Sequence, residues 1–236
     1  FHALFARLLR FDLDKYKDPE GLSWTRQFSI FDENDAQSLV KEIVTQDLQL
    51  DPKRFEPKKV RWAISTAKNQ GLLPDQLQAN AEGIRERKLA EAYRLYRRAL
   101  AANNALDFDD LLLLPVQLLR QNEQIRHFWH RRFRHVLVDE YQDTNHTQYE
   151  LIKLLVANGA DPSSFHDWQD RSVFVVGDAD QSIYSFRAAD FKILMGFQRD
   201  FGDGAPDTST STMVKLEENR SEEHTSELQS QFRISY

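Results

Sequence analysis

The chain has 236 residues, of which 41% are apolar and 29% charged, with a formal net charge of −6 and no cysteine. Enough apolar side chains are present for a sizeable core, while disulfides and thiolate metal sites are excluded and the acidic balance argues against a protein that simply coats nucleic acid. No apolar run reaches the length of a membrane span and no signal-peptide pattern is seen, so a cytoplasmic protein is expected; a first residue of Phe1 rather than Met leads to the expectation of a fragment.

In chain order, FHALFARLLR reads as an amphipathic helix. A strand-like stretch, Phe28 to Phe31, precedes a second helix in which Asp32 is placed to cap and Ala36, Leu39, Val40, Ile43 and Val44 share a face. Pro57 opens a third helix to about Lys68, broken by Gly71 and Pro74. A longer helix spans about 82 to 102, with Leu89, Tyr93, Tyr96 and Leu100 on its stripe, so residues 13–104 are expected to be mostly helical. The basic runs Arg94, Arg97, Arg98 and Arg126 to Arg134 are read as solvated helix faces.

From Asp107 the texture changes. A leucine-rich helix, 109–120, is followed by two short β-branched runs, 135–138 and 173–176, with a helix at about 145–156 between them. Each run ends directly in acidic residues. The pattern predicts an α/β half with buried parallel strands and helices on both faces. After Asn219 the sequence RSEEHTSELQSQFRISY has no apolar period, and it resembles the in-frame translation of a sequencing-library adapter. Residues 220–236 are therefore set aside from the expected fold as a non-native tail.

Two segments carry chemistry. In HVLVDEYQDTN, residues 135–145, adjacent carboxylates stand at the end of a buried strand. Such acids are costly unless partnered, and a magnesium ion on nucleotide phosphates is one partner; Asp139 suits the metal and Glu140 suits a general base. Acids after a strand also suit a helix start, where the dipole favours them, and the length of the string favours the metal. In VFVVGDADQSIYSFRAAD, residues 173–190, Gly177 permits a tight exit from the strand and Gln181 suits a phosphate sensor. Tyr184, Phe186 and Arg187 follow, and two aromatics beside an arginine suit either a core or a stacking surface for unpaired bases.

VLVDEYQDTN and VGDADQSIYSFRAA resemble two motifs of the UvrD/PcrA/Rep family of superfamily 1 DNA helicases. FHALFARLLR, FSIFDENDAQ, ISTAKNQGLLP and LDFDDLLLLP are similar to further landmarks of that family in the same order, so the resemblance covers residues 1–219. It implies an ATP- and Mg²⁺-dependent 3′-to-5′ helicase of repair or replication, acting on single-stranded DNA and its junctions with duplex, with DNA-repair proteins as possible partners.

By the same resemblance, Asp139 is the magnesium ligand, Glu140 the catalytic base and Gln181 the contact to the terminal phosphate. His2, Tyr184, Phe186 and Arg187 contact DNA; Phe186 stands where many relatives have tryptophan. Residues 1–12 and 105–219 correspond to an incomplete RecA-like P-loop NTPase domain, a parallel sheet with flanking helices, and 13–104 to an inserted all-helical subdomain. Asp110 and the 126–134 run then fall near the nucleic-acid face.

No phosphate loop of the form GxxxxGK[ST] occurs in the 236 residues, so the fragment alone is expected to be inactive. Other readings are a helicase–nuclease subunit of the same superfamily, a non-catalytic DNA-binding module, and an ATPase acting on something other than DNA.

Overall fold

The computed structural model describes residues 1–157, 171–178, 191–203, 205, 209–216 and 231–234. The chain divides into two compact units, 1–122 and 123–236. The expected boundaries at 12/13 and 104/105 do not coincide with this division, because helix α1 (His2–Asp12) packs against α6 (Asp110–Gln121) inside the first unit.

The first unit is built of helices with one small sheet. Strands β1 (Ser29–Ile30) and β2 (Ala105–Leu106) pair in parallel, and the Trp24 indole donates to the Ala105 carbonyl at 3.0 Å. Helix α2 (Glu33–Glu42) begins at a reciprocal cap: the Asp32 carboxylate accepts from the Asp35 amide at 2.9 Å, and the Asp35 carboxylate accepts from the Asp32 amide at 3.1 Å. Helix α3 (Pro57–Asn69) starts on its proline and is followed at Gly71 by left-handed backbone, φ 77°. Pro74, expected only to break this helix, opens a short further one, α4 (Pro74–Ala79). The long helix α5 (Ile84–Ala102) buries Tyr93, Tyr96 and Leu100 against Val40, Val44, Val60 and Ile64.

The second unit holds α7 (Glu123–Arg132), β3 (His135–Val138), α8 (His146–Val156), β4 (Ser172–Asp178), α9 (Phe191–Phe201), β5 (Val214–Leu216) and β6 (Gln231–Ile234). Its sheet runs β3-β4-β6-β5, with β3 parallel to β4 and β6 antiparallel to both β4 and β5. The expected parallel sheet is therefore mixed. Residues 231–234, set aside from the fold in the sequence reading, fill the position between β4 and β5 and satisfy the backbone groups facing it from both strands.

Val138, Val173 and Val175 point to one face, where Ile152 and Val156 of α8 and Ile193, Phe197 and Phe201 of α9 cover them. On the other side of the edge strand β3, Leu137 is 73% exposed. Helices on both faces were expected; among the described residues α8 and α9 cover one face, and the alternation along β3 leaves Leu137 exposed on the other. Among the described residues no helix is long and apolar enough to cross a membrane.

Candidate functional site

The chain leaves β3 at buried Val138 and turns within two residues. Glu140 lies in the left-handed region, φ 50° and ψ 45°, and leads into a tight turn at Tyr141–Asp143. For a side chain other than glycine that conformation costs about 1 kcal/mol or more, so neighbouring contacts must hold it. The Glu140 amide donates to Asp139 Oδ1 at 3.0 Å. Buried Gln142 donates from Nε2 to Glu140 Oε2 at 2.6 Å, and its Oε1 accepts from the Asp178 amide at 3.0 Å. One side-chain amide thus ties the Glu140 carboxylate to the end of β4.

Both flanks of this turn are fixed. Tyr141 is buried with its ring edge against Phe197, centroids 5.2 Å apart. Asn145 caps α8, exchanging 2.9 Å bonds with Gln148 in a reciprocal cap. A Cβ at position 177 would stand 2.9 Å from Gln142 Oε1 and 3.3 Å from the Gln142 amide nitrogen. Gly177 lies inside β4 rather than at a tight exit, and close approach of the Gln142 side chain explains its lack of one.

Asp139 and Glu140 are themselves exposed, and neither forms an ion pair among the described residues. Of the other candidate residues, Gln181, Tyr184, Phe186 and Arg187 lie outside the described residues. His2 belongs to the first unit, where its exposed ring meets Phe108 edge-on at 5.9 Å. Gln142 has no distinguishing mark in the sequence: a glutamine is ordinarily a surface residue.

The acids of LDFDDLLLLP behave differently. Asp110, expected near a nucleic-acid face, is buried 2.7 Å from Lys68 Nζ, which also donates to both oxygens of Asp107 at 2.9 Å. The Tyr96 hydroxyl donates to Asp107 Oδ2 at 2.9 Å, and Arg61 reaches Asp109 and Glu33 at 3.1 Å each. Burial pushes the Asp107 carboxyl up, but Lys68 and Arg61 outweigh it and hold the group low, at about 2. Burial and the adjacent Asp107 charge push Asp110 up to about 6 against the pull of Lys68. Arg97, read as part of a solvated face, is likewise buried and ion-paired with Asp18. Buried charges survive because they are paired.

A family model described as UvrD/REP helicase N-terminal domain matches residues 1–202. The chain belongs to this family. Among its UvrD/REP relatives, ATP-dependent DNA helicase UvrD1 of Mycobacterium leprae is 42% identical over 222 residues, 93% of this chain and 27% of the relative. ATP-dependent DNA helicase PcrA of Bacillus subtilis is 35% identical over 219 residues, covering 93% of this chain and 26% of the relative. The PcrA of Staphylococcus epidermidis is 36% identical over 219 residues. The chain thus spans about a quarter of the length of these UvrD/REP relatives.

The donor set at Asp139 fits a hard cation. Its Oδ1 is engaged by a backbone amide, its Oδ2 forms no hydrogen bond among the described residues, and a single carboxylate beside substrate phosphates and water suits magnesium. No cluster of three metal-ligating side chains occurs among the described residues, so the fit is to an ion held jointly with substrate rather than by an all-protein cage.

Proposed function

We propose that the chain is part of the motor of an ATP-dependent 3′-to-5′ DNA helicase, which couples ATP hydrolysis to movement along single-stranded DNA and to opening of duplex at junctions. Residues 1–12 and 105–219 belong to its first RecA-like domain, 13–104 form an inserted helical subdomain, and the protein works in the cytoplasm in repair or replication. Residues 220–236 come from outside the natural gene. The whole motor contains a phosphate loop that the 236 residues lack, and this polypeptide alone does not turn over ATP.

The observation that carries this reading is the pair of exposed carboxylates on a strained turn, with no ion pair among the described residues. Asp139 would hold Mg²⁺ through Oδ2, directly or by way of water, and an ion bound there with ATP would supply neutralisation of charge on the transferred phosphoryl group. Glu140 takes the proton from the attacking water on Oε1, while Gln142 keeps Oε2 in place. Because Gln142 also accepts from the Asp178 amide, the base is linked to the end of β4; Gln181, three positions further along the sequence, contacts the terminal phosphate. Tyr184 and Phe186 stack on bases, and Arg187 and His2 add contacts to the DNA. The names of the relatives support ATP and DNA as the substrates.

A chimera in which residues 1–219 replace the matching segment of the Bacillus subtilis PcrA tests the assignment. Glu140→Gln is expected to lower DNA-stimulated turnover by about two orders of magnitude or more while ATP affinity changes less than about twofold. Turnover at the unsubstituted level would remove Glu140 from the role of base. In the same chimera, changing Tyr184 and Phe186 to Ala is expected to weaken binding of a single-stranded oligonucleotide about tenfold or more; unchanged binding refutes stacking.

A further inference from the structure

A groove of about 450 Å³ lies between the turn at 51–56 and the first turns of α3 and α5. It shares Arg54, Phe55, Glu56, Lys59 and Arg85 with an adjoining hollow of about 590 Å³. Val60, Ala63 and Leu89 line the first and Phe55 lines both, so the walls are largely apolar. Two large apolar side chains stand at the rim in water: Trp62 is 70% exposed and Ile84 is 78% exposed. Neither belongs to the cluster beneath, which is already closed by Val60, Ile64 and Tyr93. A joined apolar surface of this kind, rimmed by charge, is the mark of an interaction site rather than of scattered exposed residues.

The rim charges say which partner fits. Its two carboxylates are used within the chain: Glu56 pairs with Lys59 at 2.9 Å, and Glu86 accepts from the Gly83 amide at the start of α5. Lys53, Arg54 and Arg85 are exposed and form no ion pair among the described residues. The groove therefore presents uncompensated positive charge around apolar hollows. Duplex nucleic acid would answer the charge but keeps its bases paired and stacked inside, and an unpaired base stacked flat on Trp62 would leave unfilled the hollow lined by Val60, Ala63 and Leu89 and its neighbour lined by Phe55 and Ile84. An amphipathic helix answers both, because side chains three or four positions apart stand side by side on one face.

We propose that this groove docks an acidic amphipathic helix of a partner protein, with neighbouring large apolar side chains entering the two hollows and flanking carboxylates meeting Lys53, Arg54 and Arg85. The interaction is separate from the nucleotide site and independent of its function.

The test uses the full chain and a fluorescein-labelled peptide of about 15 residues, with Leu and Phe four positions apart and Glu at the flanking positions, read by anisotropy. Binding with a Kd on the order of 10 µM is expected. Trp62→Ala and the pair Arg54→Glu with Arg85→Glu should each weaken it about tenfold or more without changing the melting temperature, since all three side chains are exposed. A peptide of equal charge with Ser in place of Leu and Phe should lose binding by a similar factor. Equal binding by that Ser peptide would reduce the surface to a charge patch and overturn the proposal. So would displacement of the anchored peptide by a single-stranded or duplex oligonucleotide whose own binding falls in Trp62→Ala, which would make the groove a nucleic-acid surface. Absence of peptide binding up to about 1 mM also overturns it.

Discussion

Each unit of the molecule has a short strand that runs straight into acidic residues, β2 into Asp107, Asp109 and Asp110 and β3 into Asp139 and Glu140. In the first unit the acids are met by Lys68, Arg61 and Tyr96, arriving from α3 and α5, and the cluster closes into the core. In the second unit no ion pair forms at these acids among the described residues. The turn is instead gripped from below by Tyr141 and Gln142, while the carboxylates stay in water. The difference teaches how two strands that end in acids can serve different ends: the deciding feature is whether a countercharge reaches them from another described element. A residue pattern alone does not contain it.

The comparison breaks most readily at Lys68. Lys68→Ala removes the buried ammonium that Asp107 and Asp110 share and leaves only the more distant Arg61 contact to Asp107, and a loss of about 3–5 kcal/mol is expected, read as denaturant unfolding of the first unit. A loss under about 1 kcal/mol would show that the cluster is not held by that pair.

A smaller effect is expected at the grip beneath Asp139 and Glu140. Gly177→Ala drives a Cβ into Gln142 Oε1, so Gln142 must release either Glu140 or the Asp178 amide. A destabilisation of about 1–3 kcal/mol follows from the broken buried bond, together with lower turnover in the chimera. Unchanged unfolding and unchanged turnover would show that the amide bridge is dispensable.

Smaller still is a pH effect confined to the second unit. Burial pushes the His130 imidazole down to about 4, although its bond with the Val156 carbonyl opposes the shift. The neutral ring is therefore favoured in the fold. Stability is fully present above about pH 6.5 and is lost as the pH falls towards 4, by an amount on the order of 1–2 kcal/mol. Thermal melts between those limits check the slope, and His130→Gln should flatten it.

Much of the fold was legible because its signals are local. Asp32 and Asp35, Pro57, the stripe on α5 and the β-branched runs at 135–138 and 173–176 each fix an element through neighbours within a turn or two. What was not legible depends on partners far along the chain. Asp110 gives no sign that Lys68 will reach it, nor Arg97 that it will find Asp18. Gln142 is an ordinary residue until β4 comes alongside. The place of residues 231–234 in the sheet follows from unpaired edges on β4 and β5 that no composition displays. In the candidate site, Asp139 and Glu140 stand out because strand and acids are contiguous, and the left-handed backbone at Glu140 does not, because nothing in its side chain asks for it.

The most direct measurement is the magnesium dependence of turnover in the chimera carrying Asp139→Asn, taken beside its melting temperature. The account predicts that the half-saturating Mg²⁺ concentration rises about tenfold or more while the melting temperature stays within about 2 °C, because an exposed carboxylate with no ion pair among the described residues serves the ion and not the fold. An unaltered magnesium requirement, or a fall in melting temperature comparable to that of Lys68→Ala, would contradict it.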